Sequence, residues 1–112
     1  MGLKKVGTTG VGEIDREIPT TMSLSQNYPN TFNPATTIRH SLPSRSSVRI
    51  VITNTVAQEV AVLENEEREA GIHEVVWHAN AASGIYFYRI DAVRVSDPNQ
   101  RFLEAKKMLL LK

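Results

Sequence analysis

The chain has 112 residues, 41% of them apolar and 22% charged, with no cysteine and a formal net charge of +1. That is one domain's worth of ordinary globular sequence, able to bury roughly two-thirds of its unfolded surface. It excludes disulfides, thiolate metal sites and cysteine nucleophiles, and its charge favours neither nucleic acid nor an anionic membrane. Apolar runs such as "MLLL" fall far short of a membrane span. No apolar h-region of a secretory signal follows the basic start "MGLKKVGTTGVG".

Residues 1–17 are rich in Gly, Thr and charge and read as a linker or flexible arm. A domain covering 18–112 is expected to follow. In "IPTTMSLSQ" an extended run sets Met22, Leu24 and Gln26 on one side. The segment "YPNTFNP" then forms a corner, in which Pro29 and Pro34 restrict the chain. Asn30 and Asn33 can satisfy local backbone groups there.

From Thr36 onward the apolar pattern has period two. "TTIRHSL" alternates Ile38, His40 and Leu42 with Thr37, Arg39 and Ser41. "VRIVITN" puts Val48, Ile50 and Ile52 on one face, and "EVAVLE" opposes Val60 and Val62 to Ala61 and Leu63. The charge run "ENEERE" is expected to be a solvated loop. A helix over "AQEVAVLENEEREA" is the weaker alternative, since strands flank it and Gly71 follows soon after. "IHEVVWHA" shares a face among His73, Val75 and Trp77, and "IYFYRIDAVRV" among Tyr86, Tyr88 and Ile90. "SDPNQ" is a turn capped by Asp97, and "RFLEAKKMLLLK" sets Met108 and Leu110 on one face. About seven strands with turns roughly every 8 to 12 residues predict an all-β fold, an antiparallel immunoglobulin-like β-sandwich.

The chemistry-bearing residues do not assemble into an enzyme's pattern. His73 and His78 are an odd number apart and face opposite sides of one strand, so a metal would need His40 brought in from elsewhere. No Gly-x-Ser-x-Gly elbow is present. "GTTGVG" neither follows a strand nor opens a helix, as a phosphate loop must. Trp77 shares a side with Val75 and reads as core. Tyr86 opens a late strand, where sandwiches of this type bond a tyrosine hydroxyl back to nearby backbone.

Taken together and in order, "LSQNYPNTFNPATTIRHSLP", "GIHEVVWHANAASGIYFYRI" and "KKMLLLK" resemble the C-terminal sorting domain of the type IX secretion system, type A. That family shows a start like "L-x-Q-N-Y-P-N-P-F-N-P-x-T-x-I", a central "L-G-Q-E-V", then "G-x-H-x-V-x-W", "S-G-x-Y-x-Y" and a closing "K-K-M-x-L-x-K". Each motif alone is weak; the ordered set spans about four-fifths of this chain.

The resemblance implies a non-catalytic, immunoglobulin-like export tag without cofactor or metal, at the end of a larger exported protein of a Gram-negative bacterium. Its implied partners are the outer-membrane translocon, a sortase-like protease and an N-terminal cargo domain in the parent chain. It implies passage through the periplasm to the cell surface or the medium. By the match, Pro29, Asn30, Asn33 and Pro34 carry the first motif, Gly84 and Tyr86 the middle one, and Lys106 and Lys107 the last. Thr31 departs from the family's proline, and Ala57 from its glycine in "L-G-Q-E-V".

Two other readings stand beside it. One is a structural interaction module like the immunoglobulin-like domain of the flagellar hook cap, which lacks the Asn-Pro corner. The other is an accessory carbohydrate-binding module, which needs an exposed Trp77. Lys106 and Lys107, being adjacent on a strand, must point to opposite faces. A sandwich tolerates that best on an edge strand, where the inner lysine can snorkel outward. Recognition is therefore expected to use the last strand and its surroundings.

Overall fold

The structure, a computed structural model, describes residues 18–112. The expected linker over 1–17 lies outside the described residues. Seven strands follow in chain order: β1 (Ser23–Leu24), β2 (Ala35–Leu42), β3 (Ser46–Thr53), β4 (Glu59–Arg68), β5 (Gly71–His78), β6 (Gly84–Arg94) and β7 (Arg101–Leu110). They form two antiparallel sheets, β1-β2-β5 and β4-β3-β6-β7. The chain crosses between sheets after β2, β4 and β5. The inward faces of the two sheets meet in one core, so the molecule is an all-β, immunoglobulin-like sandwich.

The period-two pattern explains which faces meet. Ile38, Leu42, Ile50, Ile52, Tyr88, Ile90 and Leu110 are fully buried, and each occupies an inward position of its strand. Burying such a side chain stabilises the fold by roughly 1.5–3 kcal/mol before entropy is counted. Trp77 and Met108 join the same cluster. Phe32 enters the core from outside any strand, packed on Trp77 with ring centroids 5.7 Å apart.

β4 corrects two expectations. The charge run is neither a loop nor a helix. Pairing with β3 continues to Ser46 opposite Arg68, interrupted by bulges. β4 is an edge strand, so its charged side chains reach water on the open side. They are also matched: Arg45 meets Glu67 and Glu69, and Arg68 meets Glu64 and Glu66. Glu64 lies opposite Ile50, is almost fully buried, and is held by Arg68 at 2.6 Å.

The first extended run is corrected as well. Met22 and Leu24 turn to the core, but the alternation breaks after them. Gln26 is exposed and Asn27 is buried instead. The turn after β6 is as expected, with Asp97 Oδ1 accepting the Asn99 N–H at 3.2 Å.

Candidate interaction site at the last strand

The corner between β1 and β2 is built around Asn27, which the sequence pattern did not single out. Its side-chain amide donates to the Pro29 carbonyl at 3.1 Å and to Thr36 Oγ1 at 2.9 Å. Its backbone N–H donates to the Tyr88 hydroxyl at 2.8 Å, and that hydroxyl donates to the Ser25 carbonyl at 2.7 Å. Burial pushes the Tyr88 phenol up to about 12, so it stays a neutral donor. Tyr28–Pro29, Asn30–Thr31 and Asn33–Pro34 are cis peptides. The signal for Asn27 in the sequence was its place in the first motif, beside Gln26 and ahead of Tyr28–Pro29.

The corner then lies along the end of β7. Gln26 Nε2 donates to the Lys107 carbonyl at 2.9 Å. The Leu109 N–H donates to Asn30 Oδ1 at 3.0 Å. Phe32 donates to the Leu109 carbonyl and accepts from the Leu111 N–H, both at 3.1 Å, as a parallel bridge flanking Leu110. The outer backbone groups of an edge strand normally stay open; here the last turn of sequence is covered by the corner. Asn30 thus serves a distant strand, which corrects the expectation of a local role. Asn33 is exposed, and its side chain makes no hydrogen bond among the described residues. Pro34 contributes its carbonyl, which accepts the Ala79 N–H at 2.8 Å.

The middle motif reaches the same place from the other side. Gly84 pairs with Leu110 and Tyr86 with Met108. Gly84 has φ of 152°, a conformation that favours glycine. The Tyr86 hydroxyl donates to the Ala82 carbonyl at 2.7 Å, as the late-strand tyrosine was expected to do. Tyr86 also meets Trp77 edge-on at 5.4 Å. The Lys112 N–H donates to Ser83 Oγ at 2.9 Å, tying down the chain end.

β7 is an edge strand of its sheet, and the two lysines divide as their parity requires. Lys106 is inward and half-buried, its ammonium 3.1 Å from Glu104. Lys107 is outward and exposed. Thus Asn30, Gly84, Tyr86, Lys106 and Lys107 lie in or against β7, Pro29 holds the corner together by accepting from Asn27 and Thr36, Pro34 ties the corner to the end of β5, and Asn33 alone has no assigned contact.

The other candidates resolve simply. Trp77 is 5% exposed, so it offers no sugar-binding platform. His40 does come beside His73, at 5.5 Å between ring centroids. His78 points outward, and no group of three His, Asp or Glu among the described residues is placed to hold a metal. Ala57 adopts φ of 66° in the β3–β4 turn, so the position does require the left-handed region. No helix of the described residues is long and apolar enough to cross a membrane. No protein-family model matches the chain. No curated protein matches it either.

Proposed function

We propose that this chain is a non-catalytic sorting domain of the type IX kind. In that role a folded β-sandwich at the end of an exported protein is read by the outer-membrane translocon. Delivery is to the cell surface or the medium, with a sortase-like protease as a further partner and an N-terminal cargo as passenger. One observation carries the reading. Motif segments separated by most of the chain are gathered into a single unit around β7, through Asn30–Leu109, Phe32–Leu110 and Gly84–Leu110. Motifs of a tag that is recognised as a folded object gain meaning when they form one object.

The hook-cap-like reading shares the middle motif but gives no reason for the Asn-Pro corner. The corner's integration with β7 favours the sorting role over it. The carbohydrate-binding reading loses its platform with Trp77 buried.

The test is a fusion of the 112-residue chain behind a reporter bearing a Sec signal, in a bacterium with this secretion system. The reporter is expected at the cell surface, accessible to added protease in intact cells. A folded fusion that remains in the periplasm contradicts the proposal.

A further inference from the structure

The outer face of β6 and β7 carries two exposed cations that form no ion pair among the described residues. Among the described residues, Arg39, Arg45, Arg49, Arg68, Arg101 and Lys106 each have a carboxylate partner. Arg89 and Lys107 have none there and are exposed; Arg94 and Lys112 also have none, but they lie at the ends of the sheet, away from this pair. Arg89 and Lys107 are diagonal neighbours: Arg89 lies opposite Ala105, two residues from Lys107 on β7. Such diagonals are about 7–8 Å apart. Ala105 puts no bulk between Arg89 and the sheet edge.

The edge itself is open before Lys107, whose carbonyl is taken by Gln26. Leu109 turns both its N–H and its C=O away from β6, toward the corner. In an antiparallel ladder the same alternation turns the backbone groups of Leu103 and Ala105 outward. No described residue bonds them. Beside this stretch, Asn30, Ile85, Lys107, Met108 and Leu109 line an apolar notch of about 150 Å³. A cavity near that size accommodates a benzene-sized group.

We infer that the uncovered first part of β7 receives an extended, acidic segment of a protein partner. The segment adds as a strand to the edge at Leu103 and Ala105. Two of its carboxylates, two residues apart, meet Arg89 and Lys107, and a following apolar side chain enters the notch. Alternate residues of a strand are about 6.6–6.8 Å apart on one face, which matches the diagonal of the two cations. Backbone pairing supplies affinity, and the charges supply register and choice of partner. The inference rests on the sorting reading, and names which surface of the tag the export machinery reads and the chemistry of what reads it.

The experiment is the reporter fusion described above, carrying the full chain as wild type, as Arg89→Glu/Lys107→Glu, and as Arg39→Glu. Arg39→Glu makes a charge reversal on the opposite sheet. Circular dichroism and thermal melts of the purified chains establish folding. Should the double reversal fail to fold, Arg89→Gln/Lys107→Gln takes its place. The expected result is surface reporter reduced at least tenfold by the double variant and unchanged by Arg39→Glu. Equal delivery by a folded double variant overturns the inference while leaving the sorting role standing. Equal loss with Arg39→Glu also overturns it, since net charge rather than this surface then matters. If the wild type is not delivered, the sorting role itself fails and the inference with it. A wild-type dimer in solution that the double variant loses assigns the surface to self-association and overturns the partner named here.

Discussion

Asn30 Oδ1 accepts the backbone N–H of Leu109 at 3.0 Å, across 79 residues of sequence. The bond ties the first corner of the domain to its last strand. It sits at the surface, so water replaces it in part when it is lost. Asn30→Ala is expected to cost about 0.5–1 kcal/mol in urea unfolding. Amide exchange at Leu109 should accelerate selectively. Asn30→Asp keeps an acceptor and should protect that amide nearly as well. Equal protection of Leu109 in Asn30→Ala would show that the side chain does not hold the strand.

Tyr88 should matter more to stability than Tyr86, although the sequence pointed to Tyr86. The Tyr86 hydroxyl serves one carbonyl, that of Ala82. The Tyr88 hydroxyl serves two backbone groups, the Asn27 N–H and the Ser25 carbonyl, at a fully buried position. Removing it leaves both without their partner; the buried Asn27 N–H costs about 1–3 kcal/mol and the part-buried Ser25 carbonyl about 1 kcal/mol more. Tyr88→Phe is expected to lower stability by about 2–4 kcal/mol and Tyr86→Phe by about 1 kcal/mol. Chemical denaturation of the two variants side by side checks the order; the reverse order would contradict the network.

His40 makes the fold acid-sensitive. It is fully buried, and neither ring nitrogen has a hydrogen-bond partner. Burial, and then the neighbouring His73 and Arg68, lower its pKa from 6.5 to about 4. Arg68 is itself paired with Glu64 on β4. The imidazole is therefore neutral in the fold, whereas the unfolded chain takes up its proton near pH 6.5. Stability is fully present above pH 6.5 and is lost progressively as pH falls toward 4, by roughly 3 kcal/mol in all. Asp91, held below its ordinary 3.8 mainly by its hydrogen bond from Arg101, loses its contribution only at lower pH. His40→Leu should flatten the urea midpoint between pH 7 and 4.5. An unchanged acid slope in that variant would place the sensitivity elsewhere.

Ala57 occupies a glycine's conformation, with φ of 66°. Its turn is otherwise well made, since Asn54 Oδ1 accepts both the Val56 and the Gln58 N–H at 3.0 Å. Ala57→Gly removes the side-chain clash of the left-handed region but loosens the unfolded chain. The net gain is expected to be about 0.5–1 kcal/mol, a rise of a few degrees in Tm. A lower Tm would mean that the turn tolerates the alanine without strain.

These residues also show what the sequence could and could not disclose. Period two marked Ile38, Val48, Ile50, Tyr88, Ile90 and Leu110 as one core, because each strand carries its own inside-outside record. The turn at Asp97 and the hydroxyl of Tyr86 were local and equally legible, whereas Ala57 stood out only against the glycine of the resembled family. The acidic end of β4 was not, because its partners Arg45 and Arg68 arrive through folding and hide a strand inside a charge run. Asn27, the second role of Tyr88 and the reach of Asn30 to Leu109 depend on contacts across 61 to 79 residues. No periodicity encodes such contacts. The candidate site was therefore legible as a set of motifs, and its assembly around β7 was not.

The central claim is that this sandwich is an export tag read by an outer-membrane translocon. Its most direct measurement compares the reporter fusion in two isogenic hosts, one with the translocon and one without. Surface reporter in the first host, and folded periplasmic reporter in the second, is the expected result. Periplasmic retention in both hosts, or surface delivery in both, contradicts the claim.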